Sequence, residues 1–300
     1  YNVSDKKEPK EVRRIEVEGN YISSRMIQNN IYFAISKNIY SSEILSKDIK
    51  ELNELNYKPK YKDTAVSQVE KCIEYDSIYY FDNIETTNYL ILGGINLENS
   101  EEADIQTFLG AGNYIYSSEK NMYIAKNKTE YGDDYEYISS STHVLKFSLN
   151  NGKVKFQAEA NIDGHINNQF SMDENGEYFR IATTTGSSWM TDESMSNNLY
   201  VLNNELELVG KVTGFAVEER IYSVRYVESK AYVVTFKQTD PLFVIDLSEP
   251  TNPQILGELK IPGYSTYLHP YDETHIIGFG YDTKEDGTNI ITNGLKMVMF

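Results

Sequence analysis

Three cations recur at one place in a repeating pattern. Arg25, Arg225 and His269 each stand seven residues before a large apolar or aromatic residue (Tyr32, Tyr232, Ile276), and Tyr116 and Ser171 stand at the same distance before Tyr123 and Tyr178. Two residues earlier the same count gives Ser23, Tyr114, Gln169, Ser223 and Tyr267; the residue between gives Ser24, Ile115, Phe170, Val224 and Leu268. Successive strand residues point to opposite faces. The mostly apolar set should therefore pack inside, and the polar set should share the other face. On that reading Arg25, Tyr116, Gln169, Arg225, Tyr267 and His269 form a basic, aromatic-bordered site. Arginine forks suit a small anionic ligand or an acidic group of a partner. A second reading stands beside it, in which the arginines pair internally with acids, as buried charges normally do.

Other chemistry has weaker support. The four histidines, His143, His165, His269 and His275, show no zinc-type spacing; His275 suits a hydrogen bond to its neighbouring turn. The acidic run from Asp282 to Asn289 offers Asp282, Asp286 and Asn289 as oxygen ligands of the kind Ca²⁺ takes, without completing an EF-hand loop. The run Asp173 to Gly176 reads as a plain hairpin turn. The single cysteine, Cys72, has no neighbouring histidine and excludes an internal disulfide. No nucleophile elbow, P-loop or dinucleotide fingerprint occurs, so no other cofactor is expected.

These residues need elements to carry them. The clearest stretch, Gly214 to Gly280, reads as four apolar strands (Ile221–Val227, Ala231–Phe236, Leu242–Leu247, Ile255–Ile261), then a glycine, then the same cycle from Tyr264. Anchors at Tyr123, Tyr178, Tyr232 and Ile276 repeat at roughly 45–55 residues, the period of a four-stranded propeller blade. Glycines at 19, 112, 164, 214 and 263 precede each innermost strand, where a sharp turn is needed. The expected fold is all-β: a propeller of four-stranded antiparallel blades, incomplete in this chain.

Tyr1–Ser4 and Val12–Val17 read as the last strands of a part-blade. Blade one takes Tyr21–Ile27, Ile31–Ser36, Tyr89–Leu97 and Asp104–Leu109. It is interrupted by an insertion, Lys37 to Asn88, with helical spacing at Ile44, Leu45, Ile49, Leu52 and Leu55. Blade two takes Asn113–Ser118, Met122–Lys126, His143–Leu149 and Lys153–Ala158, with a tight turn at Asn150-Asn151-Gly152. Blade three takes His165–Met172, Glu177–Thr184, Asn198–Leu202 and Leu206–Val212, and blade five starts at Tyr264. The tyrosines of the insertion (Tyr57, Tyr61, Tyr75, Tyr79, Tyr80) suit a contact surface.

Composition agrees: 25 Tyr and 12 Phe in 300 residues favour pleated surfaces. The net charge of −17 opposes nucleic acid and anionic membranes, and no apolar run is long enough to span a bilayer. The chain opens and stops in strand-like segments, so it reads as cut from something longer.

The segments Gly164-His-Ile-Asn-Asn-Gln-Phe-Ser-Met-Asp-Glu, Asp240-Pro-Leu-Phe-Val-Ile-Asp-Leu-Ser-Glu-Pro and Leu259 to Asp272 resemble a family of secreted prokaryotic proteins with a C-terminal β-propeller distantly similar to WD-repeat propellers. The resemblance covers most of the chain and is weakest from Lys37 to Tyr75. It implies a propeller, a bacterial exported protein and an extracellular or cell-surface setting, with no catalytic residues to carry over. The function expected is a binding or interaction module for a protein or extracellular polymer, met at the channel mouth or the insertion. The alternative is a hydrolase of an extracellular polymer, which needs an unpaired carboxylate beside Arg25, Arg225 and His269. A purely structural domain is the third reading.

Overall fold

The structure is a computed structural model that describes residues 1–39, 57–80, 87–110, 112, 114–134, 136–186, 195–236, 240–286 and 289–300, with the side chains of 240, 261, 285, 286, 289 and 290 outside that description. The strands are β1 Ile15–Val17, β2 Asn20–Ile27, β3 Asn30–Asn38, β4 Lys60–Asp63, β5 Lys71–Cys72, β6 Ile78–Tyr80, β7 Asn88–Asn96, β8 Asp104–Leu109, β9 Tyr114–Ser117, β10 Asn121–Tyr131, β11 Tyr137–Asn150 and β12 Lys153–Asp163. There follow β13 Met172–Asn175, β14 Tyr178–Thr185, β15 Ser196–Leu202, β16 Leu208–Phe215, β17 Arg220–Val227, β18 Lys230–Phe236, β19 Asp240–Asp246, β20 Gln254–Ile261, β21 Tyr264–Pro270, β22 Ile276–Asp286 and β23 Asn289–Met299.

They assemble as consecutive antiparallel sheets, β9 to β12, β13 to β16 and β17 to β20 being four-stranded in chain order. Blade one is β2-β3-β7-β8, with β6 added parallel to β8. Blade five is β21-β22-β23. Two compact units result: 1–125 with 146–157, and 126–145 with 158–300.

Sheets of this kind bury both faces. In the second unit Val233, Ile245, Leu199 and Ala182 are fully buried, packed with Val224, Ile221 and Phe243. Each such aliphatic residue contributes about 1.5–3 kcal/mol when removed from water. Leu268 and Ile276 of blade five pack on Val234 and Leu242 in the same way. Polar side chains tie one sheet to the next: Asn167 Nδ2 donates to the Tyr222 carbonyl (2.8 Å), and Ser223 Oγ donates to the Ser265 carbonyl (2.9 Å). Gly164 sits at φ +87, and a Cβ there would stand 2.7 Å from Thr183 Oγ1, so both the turn and the space demand glycine.

Blade four, β17 to β20, matches the four strands read between Ile221 and Ile261 almost one for one. The Asn-Asn-Gly turn also holds: Asn151 and Gly152 both have positive φ (49° and 74°), as a tight primed turn requires. Four readings are corrected. First, Val12–Val17 does not pair with Tyr1–Ser4; β1 pairs with β4, and β4 with β5, so the insertion supplies strands to the N-terminal sheet. The expected helix from Ile44 to Leu55 lies outside the described residues.

Second, β10 and β11 of blade two run well beyond the expected strands, which ended at Lys126 and resumed at His143. The Thr, Tyr and Ser residues between those points alternate as a strand without an apolar signal. Third, His165 makes only an isolated bridge to Thr184. The chain then turns through a 3-10 segment, Gln169–Ser171, where Asn168 Oδ1 accepts from the Phe170 amide (2.9 Å). Asparagine side chains compete in this way with the ladder, and β13 starts only at Met172.

Fourth, the anchor of blade three is Arg180, not Tyr178. Arg25 faces Tyr32, Tyr116 faces Tyr123 and Arg225 faces Tyr232, whereas the seven-residue partner pair in blade three is Asp173 and Arg180. In blade five a longer hairpin sets His269 opposite Ile277 rather than Ile276.

Candidate binding site

The inner strands share a device that aims their side chains. β2, β17 and β21 each shift register at one place, between Tyr21 and Ser23, Ile221 and Ser223, and Ser265 and Tyr267. A bulge re-aims the residues that follow it. Beyond it Val224 (3% exposed) and Leu268 (1%) turn into the core, and Arg225 and His269 turn the other way.

Within the second unit this brings predicted residues of three blades into one chain of contacts. The Arg225 guanidinium lies 5.9 Å from the Phe170 ring centroid. Phe170 meets Tyr267 edge-on at 5.8 Å, and the Tyr267 hydroxyl is hydrogen-bonded to His269 Nδ1 at 3.2 Å. Phe279 closes the aromatic patch, 6.3 Å from Tyr267. Phe170 and Tyr267 remain more than a third exposed. Gln169 is exposed at the start of the 3-10 turn beside Phe170.

Arg225 carries the chemical content. Its Nε is buried without a hydrogen-bond partner, and no carboxylate pairs with its guanidinium among the described residues. A cation over an aromatic face is attracted by the ring quadrupole, but a phenyl ring accepts no hydrogen bond of the strength a carboxylate offers. An anion at this point would meet the Nη groups of a guanidinium that has no carboxylate partner among the described residues.

Blade three shows the other solution. Arg180 is 4% exposed, and its Nε donates to Asp173 Oδ2 at 2.9 Å. Its Nη1 donates to the Glu228 carbonyl at 2.5 Å, and its plane stacks 5.0 Å from the Tyr226 ring. This arginine is fully engaged as a clamp between blades three and four.

The other predicted positions do different things. Arg25 and Tyr116 belong to the first unit. Arg25 is exposed and, among the described residues, hydrogen-bonds only the Ser24 carbonyl (3.3 Å), and the Tyr116 ring lies 6.0 Å from Tyr123. Phe170, assigned above to the inward apolar set, is 38% exposed instead; the Asn168 turn rotates it out and makes it the centre of the patch. The signal was present in Asn167-Asn168, which favours a turn over a strand.

His275 Nδ1 lies 2.8 Å from Asp272 Oδ1, the turn contact expected of it. Backbone bonds from Thr274 and the His275 ring hold the Asp272 carboxyl down at about 2. His143 pairs with Glu159 at 2.9 Å. Asp282 accepts from Asn293 Nδ2 (3.2 Å), while the side chains of Asp286 and Asn289, the other expected Ca²⁺ ligands, lie outside the described residues. Cys72 is a free, partly buried thiol on β5. Tyr57 and Tyr75 of the insertion hydrogen-bond each other through their hydroxyls at 2.7 Å, and Tyr79 stacks on Phe108 at 5.3 Å, while Tyr75, Tyr79 and Tyr80 stay exposed. No helix among the described residues is long and apolar enough to cross a membrane.

Comparison with known proteins fits this architecture. An uncharacterized protein of Methanocaldococcus jannaschii is 32% identical over 343 residues, covering 96% of the chain and 54% of that protein. An uncharacterized protein of Archaeoglobus fulgidus is 49% identical over 146 residues, covering 49% of the chain and 22% of that protein. The chain spans about half the length of the first relative and less of the second. Both are archaeal, where a bacterial source was expected. The description of the beta propeller domain matches residues 1–300, and the chain belongs to that family.

Proposed function

We propose that this domain is a binding module that holds an acidic segment of a partner protein at the inner-strand patch formed by Arg225, Phe170, Tyr267 and His269. The observation that carries this reading is an Arg225 guanidinium with no carboxylate partner among the described residues, beside an exposed aromatic surface. Arginine and aromatic residues together are what protein interfaces favour at their centres. The hydrolase alternative asks for an unpaired carboxylate here, and among the described residues no carboxylate is hydrogen-bonded or ion-paired to the patch. An extracellular, cell-surface setting and kinship to WD-repeat propellers rest on the resemblance of the three segments quoted above.

The test is fluorescence polarisation with a labelled hexaglutamate peptide. Binding by the full chain, lost at least tenfold in Arg225→Met and retained in Arg25→Ala, supports the proposal. No binding, or equal binding by Arg225→Met, overturns it. Displacement of the peptide by an acidic polysaccharide would move the partner from protein to polymer.

A further inference from the structure

A second concavity lies in the same unit, built from different residues. It has a volume of about 260 Å³ and is bounded by the long β10–β11 hairpin, the start of blade three and the first residue of β17. Pockets for drug-sized ligands run to roughly 300–1,000 Å³, so this one has room for a single small ring.

Its frame is rigid because its polar groups are spent on the fold. Asn127 Nδ2 donates to the Ile166 carbonyl (2.9 Å), and its Oδ1 accepts from the Ile166 amide and the Thr142 hydroxyl (both 3.0 Å). Tyr137 donates to Ser140 Oγ (2.8 Å) and accepts from the Gly186 amide (3.2 Å). Three other residues keep capacity.

His165 Nε2 donates to the Lys128 carbonyl at 2.8 Å. A carbonyl only accepts, so Nε2 carries a proton, with Thr129 Oγ1 also 3.1 Å from it, and in that tautomer Nδ1 is the open acceptor. Asn167 Nδ2 donates to the Tyr222 carbonyl, which fixes the amide and leaves Oδ1 as a second open acceptor. Arg220 donates from Nη2 to the Tyr222 hydroxyl (2.7 Å) and stacks on that ring at 4.7 Å; its Nε and Nη1 remain open donors. Tyr131 contributes a ring that is 55% exposed. In a chain of net charge −17, no Asp or Glu is among the described residues that line the cavity.

We infer that this cleft binds a small polyhydroxy acid, a uronic-acid sugar ring being the class that fits, with its carboxylate on Arg220 and its hydroxyls on His165 Nδ1 and Asn167 Oδ1. The two acceptors decide the class. Acetate has no hydrogen to give either acceptor, whereas sugar hydroxyls donate to both. A neutral sugar satisfies the acceptors and leaves Arg220 unmatched. Only a ligand with both groups uses the whole lining, and the Tyr131 ring offers an apolar flank to the C–H face of a sugar. The site is independent of Arg225.

The experiment is calorimetric titration of the full chain with D-galacturonate, D-galactose and sodium acetate in separate runs. Galacturonate is expected to bind at least tenfold more tightly than either of the others. Arg220→Gln should weaken it at least tenfold toward the galactose value, and Arg225→Met should leave it unchanged. Absence of galacturonate binding overturns the inference, as does equal binding of acetate, which would mark a simple anion site. Loss in Arg225→Met but not in Arg220→Gln would place the ligand at the other patch and also overturns it. The three probes on the unaltered chain decide the matter even where a variant is unstable.

Discussion

Arg180 and Arg225 make an informative pair. Both belong to the innermost hairpin of their blade, on the ladder rung that carries seven-residue partners. In blade three the rung is Asp173 facing Arg180; in blade four it is Arg225 facing Tyr232. The first arginine is buried against an acid, a carbonyl and a ring. The second has a ring alone and a buried Nε with no acceptor. The same rung, with its arginine on the second strand in blade three and on the first in blade four, thus holds a charge that serves the fold and a charge without an acid.

The difference teaches how to separate structural from recognition arginines. Breaking a buried pair strands a charge, which costs about 3–5 kcal/mol. Asp173→Ala should therefore lower unfolding free energy by about that amount in chemical denaturation. Replacing both partners, as in Asp173→Ala with Arg180→Met, removes the stranded charge and should recover most of the loss. If the single variant costs under about 1 kcal/mol, Arg180 is not the clamp described and the comparison fails.

The same logic applies in the first unit. Arg13 donates to buried Asp63 from Nε (2.9 Å) and Nη2 (2.5 Å), and the Ala103 and Ala65 amides donate to the same carboxylate. Burial raises the Asp63 pKa, but the Arg13 bond and the two amides outweigh it and hold the carboxyl below its ordinary value. A carboxyl depressed in the folded state lends stability that is complete above its unfolded pKa, about 3.9, and is lost as pH falls through the folded value. The melting temperature should therefore drop as pH is lowered below about 4, and Asp63→Asn, less stable by about 1–3 kcal/mol at pH 7, should flatten that drop. An unchanged acid profile in the variant would remove Asp63 from the account.

Arg225→Met is expected to do the reverse of Asp173→Ala. No acid is orphaned by the change, and the methionine keeps contact with Phe170. Stability should move by less than about 1 kcal/mol, while binding of an acidic peptide falls at least tenfold. A large loss of stability would make Arg225 a second clamp.

The blades were legible because their strands are apolar on both faces and separated by glycine and turn residues. Val233, Ile245 and Leu268 announce themselves in any window, and the Asn-Asn-Gly turn has one cheap conformation. The site was half legible. Counting seven from an anchor works where a two-residue hairpin joins the strands, as at Arg225. It failed in blade three because Arg180 replaced the aromatic anchor, and a nearby Tyr178 stood in its place in the count. Phe170 was misassigned because hydrophobicity says nothing about a 3-10 turn set by Asn168. The cleft was not visible at all: His165, Asn167 and Arg220 are spread over 56 residues by number, and their open valences depend on which atoms the backbone has already used.

Arg25 gives the smallest effect and completes the series. It occupies the same rung as Arg225, facing Tyr32, yet it is exposed and its one bond is to the carbonyl of the preceding residue. Arg25 is exposed, so water solvates its guanidinium and nothing is stranded by removing it. Arg25→Ala should shift the melting temperature by no more than about 1–2 °C and leave peptide binding intact. Were Arg25→Ala to abolish binding, the open valence of Arg225 would be insufficient on its own, and the site would have to draw on both arginines, as the seven-residue spacing alone suggests.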